Sequence, residues 1–524
     1  MKKYLLYILF IPFTLSCADF LDRNPLDRAA NEVSWVTERD AQANATGCYE
    51  GWSSMNDVVY FDCASDNAYN PFYWEEWQYQ ASGLGSASAQ SGHFRNFMEY
   101  DRITRCNNFL ENINRPKMSE TLRERLSAEV RFIRAWHYFR KVSVYGDVPL
   151  VKKVLPLAES NLPKNPKQEV MQFIIDEMKE IAPKLDEKYS GDNVGRITKG
   201  AAITLKAKTE LLDKRYAECE ASCKEIMNLN YALFPSYVGL FKIANENNSE
   251  VILDVQYIEN LVANRVLGQL IPNSNGGWCS INPTQSLADA YEDEQGELIE
   301  KSTIYDPKEP YLRRDPRLAA TLVYPGCLYE GAYFNPIDKD DPTSDYYAPY
   351  NRTKTGYTPR KYLDNLSDYR DVWNTGMNAI IFRYADVLLM YAECKIEQSN
   401  IDAEVYEAID KVRLRAGMPR IDQVKYNNVE KMRELLRRER RVELAMEGWR
   451  WFDICRWEIG EETMPGNVEG ALLGKVNPTT GALTLTNERI FVEKRVFDKN
   501  KHYLWPIPQD VIDKTPLVKQ NPNY

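Results

Sequence analysis

The sequence predicts a mainly α-helical chain whose helix pairs form a scaffold under an irregular, loop-rich half with a few short strands. Three observations carry that expectation. Apolar residues recur three or four apart over several long segments. Those segments fall into pairs joined by short turns. The stretches between them, residues 54–100 and 260–375, are rich in Gly, Pro, Asn and Tyr and lack a helical period. With 524 residues, 44% apolar and 27% charged, the chain has material for a large core. A net charge of −10 argues against a nucleic-acid footprint, which needs clustered Lys and Arg.

The elements follow in order. Leu122 to Tyr145 carries Phe132, Ile133, Trp136, Phe139 and Val142 on one helical face, and Gly146-Asp147-Val148-Pro149 stops it. Gln168 to Leu185 repeats the pattern. Thr198–Leu212 and Tyr216–Leu229 read as an antiparallel pair joined at Asp213-Lys214-Arg215. Later, Ile381, Ala385, Leu388, Leu389, Ala392 and Ile396 mark a helix, Ala403–Arg415 its partner and Val429–Met446 a third. Such pairs resemble tetratricopeptide-type hairpins, but no strict repeat period appears, so a regular solenoid is not predicted. Glu250–Tyr257 and Ile490–Phe497 are β-like runs suited to local pairing.

The N-terminus reads as a secretory signal. Lys2 and Lys3 precede an apolar run from Tyr4 to Phe13, too short to span a bilayer. Cys17 follows Leu15-Ser16 as in a bacterial lipobox, with the Leu one place closer than usual, so Cys17 is the expected lipidation site. Acyl chains there would anchor the chain, each buried CH₂ contributing about 0.8 kcal/mol. The other nine cysteines are scattered without CxxC or paired Cys/His spacing, and read as small buried hydrophobes.

No nucleophile elbow, phosphate loop, His-Glu-x-x-His or EF-hand loop is present. Glu75 and Glu76 sit among aromatics, but adjacent residues diverge on helix or strand and make a poor acid/base pair. The Arg/Glu-dense stretch Arg433–Glu447 reads as a solvated or ion-paired helix face, structural in role. Aromatics are the stronger signal. Tyr69 to Tyr79 holds six rings interleaved with Asn, Glu and Gln, and Trp278, Tyr291, Tyr346, Tyr347, Tyr350 and Trp373 add to them. Flat rings suit the apolar face of a pyranose while neighbouring amides and carboxylates serve its hydroxyls. The competing reading is that these rings fill a loop-rich core.

A set of motifs runs in order along the chain, from Asp19-Phe20-Leu21-Asp22-Arg23-Asn24-Pro25 through Ala128–Phe139 and Tyr145–Leu150. It continues in Arg383–Glu393, Val412–Gly417, Arg437–Ala445 and Glu447–Asp453, and ends in Leu504-Trp505-Pro506-Ile507-Pro508 and Gln520–Tyr524. This ordered set resembles the SusD/RagB outer-membrane nutrient-binding lipoproteins of Bacteroidetes. It implies about four tetratricopeptide-like helix pairs, no catalytic residues, no cofactor and no metal, a structural calcium not being indicated. It also implies a cell-surface lipoprotein that captures a glycan and delivers it to a SusC-like TonB-dependent transporter. The family's ligand surface maps onto Tyr73, Trp74, Trp77, Trp278 and Trp373. The expected organisation is a signal peptide over 1–16, an N-terminal region over 17–235 with helix pairs and the early aromatic loop, and a C-terminal region over 236–524 with the loop-rich ligand face and the last pairs. A tether hinge would fall in residues 18–30. A RagB-like binder of peptide or glycoprotein-derived nutrient is the alternative, and a secreted glycosidase a third reading.

Overall fold

The computed structural model describes residues 34–83, 96–347 and 351–524. The signal, Cys17, the hinge segment, Leu84–Ser86 and Tyr350 lie outside them. Ten longer helices carry the scaffold. They are α1 (Glu38–Tyr49), α2 (Asp101–Asn112), α3 (Glu120–Tyr145), α4 (Lys167–Ile181) and α5 (Lys199–Leu212). After them come α6 (Tyr216–Met227), α7 (Tyr384–Glu397), α8 (Ala403–Arg415), α9 (Val429–Glu443) and α10 (Arg450–Trp457). Local chemistry sets several starts. Thr37 and Asp40 form a capping box on α1, while Ser119, Thr198, Asp402 and Asn428 cap α3, α5, α8 and α9 through their side chains. α3 ends at Gly146, as its sequence predicts.

The helices stack in chain order, α3 on α4, α4 on α5, α5 on α6. α6 then packs directly on α7, although the chain between them makes the whole loop-rich excursion over 228–383. The helix pairs, separated in sequence, are therefore continuous in space. Cys219 and Cys223 of α6 meet Cys394 of α7 at this joint. All nine described cysteines are free and eight are buried, in the apolar role expected of them.

Strands are short, apart from one hairpin. β1 (Ala68–Tyr69) pairs with β3 (Asn282–Pro283), and β2 (Val251–Val255) pairs with β4 (Ala379–Arg383), both antiparallel. β5 (Gly466–Val476) and β6 (Leu483–Arg495) form a long bulged hairpin. The two β-like runs are strands, each with a partner of its own. Ile381, expected in a helix, lies in β4, and the helix starts at Tyr384. The β-branched Ile380 and Ile381 suit the pairing with β2, a partner far away in the chain.

The Arg/Glu face of α9 is ion-paired and buried rather than solvated. Glu443, fully buried, takes Arg317 at 3.0 Å and Arg383 at 2.7 Å, together with Arg415. Arg383 also reaches Glu250 and Glu447, and Lys361 binds Glu447 at 2.8 Å. Glu439 holds Arg317 and Arg413, and Arg440 bonds Asp386 and Asp453. Asp66 receives Arg441 and Arg450. Loop residues Arg317 and Lys361 are thus fastened to the end of α9 and the turn after it, and Glu250 joins the same network through Arg383 and Arg415.

Burial raises the carboxyls of Asp66, Asp386 and Glu443, but the surrounding cations outweigh it. Asp66 and Asp386 are held at about 2 and Glu443 lower still. Their folded values lie below the unfolded ones, so the stability they contribute is complete above about pH 5 and is lost as pH falls toward 2 and below. Glu443→Gln would leave three guanidinium groups without their shared carboxylate. It should lower unfolding free energy by about 3–5 kcal/mol at neutral pH and flatten the acid limb, both read by denaturant titration across pH.

Candidate ligand-binding face

The loop-rich half brings the two aromatic segments together at β1 and β3. Tyr69 stands opposite Asn282 in the ladder. One residue on, the Asn70 side-chain amide donates to the Ser280 carbonyl at 2.8 Å and to the Glu75 carboxylate at 2.5 Å. Glu75 also accepts from the Tyr60 hydroxyl at 3.1 Å and the Ser280 hydroxyl at 3.2 Å. Burial raises the Glu75 carboxyl while these donors pull the other way. Glu75 is therefore a brace joining the early aromatic loop to the segment after Trp278.

The turn beyond Glu75 sorts the rings. Tyr73, Trp74 and Glu75 form a single 3-10 turn, and Glu76 takes a left-handed conformation, φ 65°. The chain then enters a short helix that sends Trp77 inward. Tyr73 and Trp74 are 65% and 62% exposed, whereas Trp77 is 2% exposed. Trp77 packs on Phe61 and Trp505 and belongs to the core, which removes it from the predicted ligand set. Trp74 stacks on the buried Phe72 at 4.8 Å and meets Tyr73 edge-on at 5.1 Å, so its plane is set by its neighbours.

Two glycines seat the second ring pair. Trp373 lies flat on Gly268, where a Cβ would come within 2.4 Å of the indole. Gly277 passes so close to the Ile271 carbonyl that a Cβ there would sit 2.2 Å from it. The close approach lets the Trp278 amide donate to Gly268 O at 2.8 Å. Trp278, 41% exposed, and the half-buried Trp373 meet with centroids 4.6 Å apart and planes inclined at 52°. Among the other sequence candidates, Tyr291 is fully buried, Tyr346 half-buried and Tyr347 exposed.

Sequence reasoning missed the cavities. A cleft of about 330 Å³ opens beside Tyr69, with Tyr346, Arg352, Lys354 and Phe491 in its walls. A larger polar cavity of about 660 Å³ lies between α9 and the β5–β6 hairpin, lined by Asp66, Arg437, Arg441 and Arg450. Both draw on residues from distant parts of the chain, so no local pattern marks them. Among the described residues no group of three or more His, Cys, Asp or Glu is placed to hold a metal ion, and no helix is long and apolar enough to cross a membrane.

A stacked helical array that carries braced, exposed rings on its loop-rich side defines a binding scaffold. Residues 243–524 match the model of the SusD family, and residues 19–211 match a model described as starch-binding associating with outer membrane. The chain belongs to the SusD family. It is 26% identical over 501 residues to the SusD-like protein P25 of Formosa agariphila, covering 87% of this chain and 90% of that one. A SusD-like carbohydrate binding protein from Bacteroides fragilis superposes with a TM-score of 0.84 at 29% identity, covering 93% of this chain and all of its own. A laminarin binding SusD-like protein shares the fold, with a TM-score of 0.69 at 21% identity over 94% of this chain and 100% of that one.

The sorting of rings is testable by stability alone. Trp77→Ala should cost about 3–5 kcal/mol through the cavity it leaves. Trp74→Ala, an exposed change, should cost under about 1 kcal/mol. Chemical denaturation of the two variants separates these outcomes.

Proposed function

We propose that the chain is a cell-surface lipoprotein that captures an oligosaccharide or polysaccharide and passes it to a SusC-like TonB-dependent outer-membrane transporter. The observation that supports this most is the pair of braced ring surfaces, Tyr73 with Trp74 and Trp278 with Trp373, on segments joined through Asn70, Glu75 and Ser280. Each ring stacked on a sugar contributes on the order of 1 kcal/mol. A few such platforms with hydrogen bonds give roughly micromolar to millimolar affinity. Binding of that strength permits release. A tether at Cys17 keeps the binder beside its pore, so high local concentration compensates for weak capture. Membership of the SusD family and the match to a model described as associating with the outer membrane support the same reading.

Two experiments test it. In affinity electrophoresis against a panel that includes laminarin and starch, Trp74→Ala and Trp278→Ala should each weaken retention by about tenfold or more with an unchanged melting temperature. Unaltered retention in both would place the site elsewhere, and release of reducing ends by the purified protein would overturn the non-catalytic reading. In cells, Cys17→Ala should move the protein from the detergent phase to the aqueous phase on Triton X-114 partition. Retention in the detergent phase would refute acylation at that residue.

A further inference from the structure

Among the described residues, the cleft beside Tyr69 is lined by three cations, Arg352, Lys354 and Arg489, against one carboxylate, Glu488. The chain carries a net charge of −10, and the buried cations Arg317, Arg383, Arg413, Arg415 and Arg440 all have carboxylate partners. Among the described residues, Arg352 and Lys354 have none. There Arg352 donates to the Tyr346 carbonyl, and its guanidinium lies 4.5 Å from the centre of the Tyr346 ring. The Lys354 ammonium has no side-chain or carbonyl partner among the described residues, and its backbone N–H is spent on Asn282 at 2.7 Å. Arg489, in the same wall, has a single carboxylate contact, Glu469 at 3.7 Å. The one carboxylate that lines the cleft, Glu488, is already met by Lys339 at 3.3 Å.

Rings stand with these cations. Tyr69 and Tyr346 line the cleft, and Phe491 projects from its rim, 61% exposed. A volume of about 330 Å³ lies within the ~300–1,000 Å³ range of small-ligand sites. The cleft is also tied to the ring-bearing segments through the chain. Asn282, which holds the Lys354 backbone, pairs in the ladder with Tyr69, and the next residue, Asn70, braces Glu75 beside Trp74.

We infer that this cleft is a subsite for an acidic sugar residue of the bound glycan, one carrying a carboxylate or a sulfate ester. Arg352 and Lys354 meet the anion and the rings of Tyr69, Tyr346 and Phe491 meet the sugar. A guanidinium and an ammonium two residues apart supply the charge-assisted donors that carboxylates and sulfates accept, and an aromatic wall supplies the apolar contact. Burial, and then the neighbouring Arg352, lower the Lys354 ammonium, and a bound anion would offset both effects. The polarity matters because a polyanionic glycan is repelled by a chain of negative net charge, so its capture needs a local cationic spot. The inference rests on the glycan-binding reading and adds the ligand's charge to it.

The test uses the mature chain and two matched pairs of polysaccharides. Polygalacturonate against its methyl ester isolates the carboxylate, and dextran sulfate against dextran isolates the sulfate. The wild-type chain should bind one charged member more tightly than its neutral counterpart, with affinity falling as salt rises. In Arg352→Gln/Lys354→Gln the ratio of charged to neutral affinity should fall by about tenfold and the salt dependence should flatten. If the double variant melts early, the single variant Lys354→Gln is measured the same way. Charged members that bind no better than neutral ones, or a charge preference that survives the substitutions, would overturn the subsite and leave the ring platform standing. Loss of that platform has its own readout, the unaltered retention of Trp74→Ala and Trp278→Ala.

Discussion

Glu443 and the guanidinium groups around it are the constraint on which the rest of the structure depends. A carboxylate at the end of α9 gathers Arg317 from the loop-rich half, Arg383 from the end of β4 and Arg415 from the end of α8. Charges this deeply buried are costly unless every one is matched, so the set tolerates only one arrangement of its parts. The same helix sends Arg440 to α7 and α10 and Arg441 to Asp66, near the start of β1. One helix therefore registers the array, the excursion and the early aromatic segment against each other.

That geometry is what the proposed weak binding of a glycan needs. Trp74 rests on Phe72, Trp373 on Gly268, and Trp278 is drawn in by the close pass of Gly277. Rings fixed before the ligand arrives lose little side-chain entropy on binding, so modest contacts are enough. Glu75, which sequence spacing left as an isolated carboxylate among aromatics, contributes by holding two chain segments together.

The helices were legible wherever a 3.6-residue period met a clear stop, as in α3 with Gly146 or α8 with Gly417. Legibility failed where an apolar run fitted two periods. Ile380 to Phe382 satisfies a helical face as well as a strand, and only the distant Val251–Val255 decides it. In the site, exposure of Tyr73 and Trp74 and burial of Trp77 turn on a left-handed Glu76, a conformation that no residue type there announces. The α9 stretch is ion-paired, one of the two readings its sequence allows, but it is buried and its partners, such as Arg317 and Arg383, lie far off in the chain. The cleft cations went unnoticed for the same reason, since what distinguishes Arg352 and Lys354 is the partners they lack.

The joint between α6 and α7 has an evolutionary consequence. Since α6 packs on α7, residues 228–383 leave and rejoin the helical array at adjoining points, where sequence change in the excursion need not alter the stacking of the helices. Variation within that excursion is therefore bounded at its anchors: Arg317 and Lys361 must still meet the end of α9 and the turn after it, and Glu250 must still meet Arg383 and Arg415.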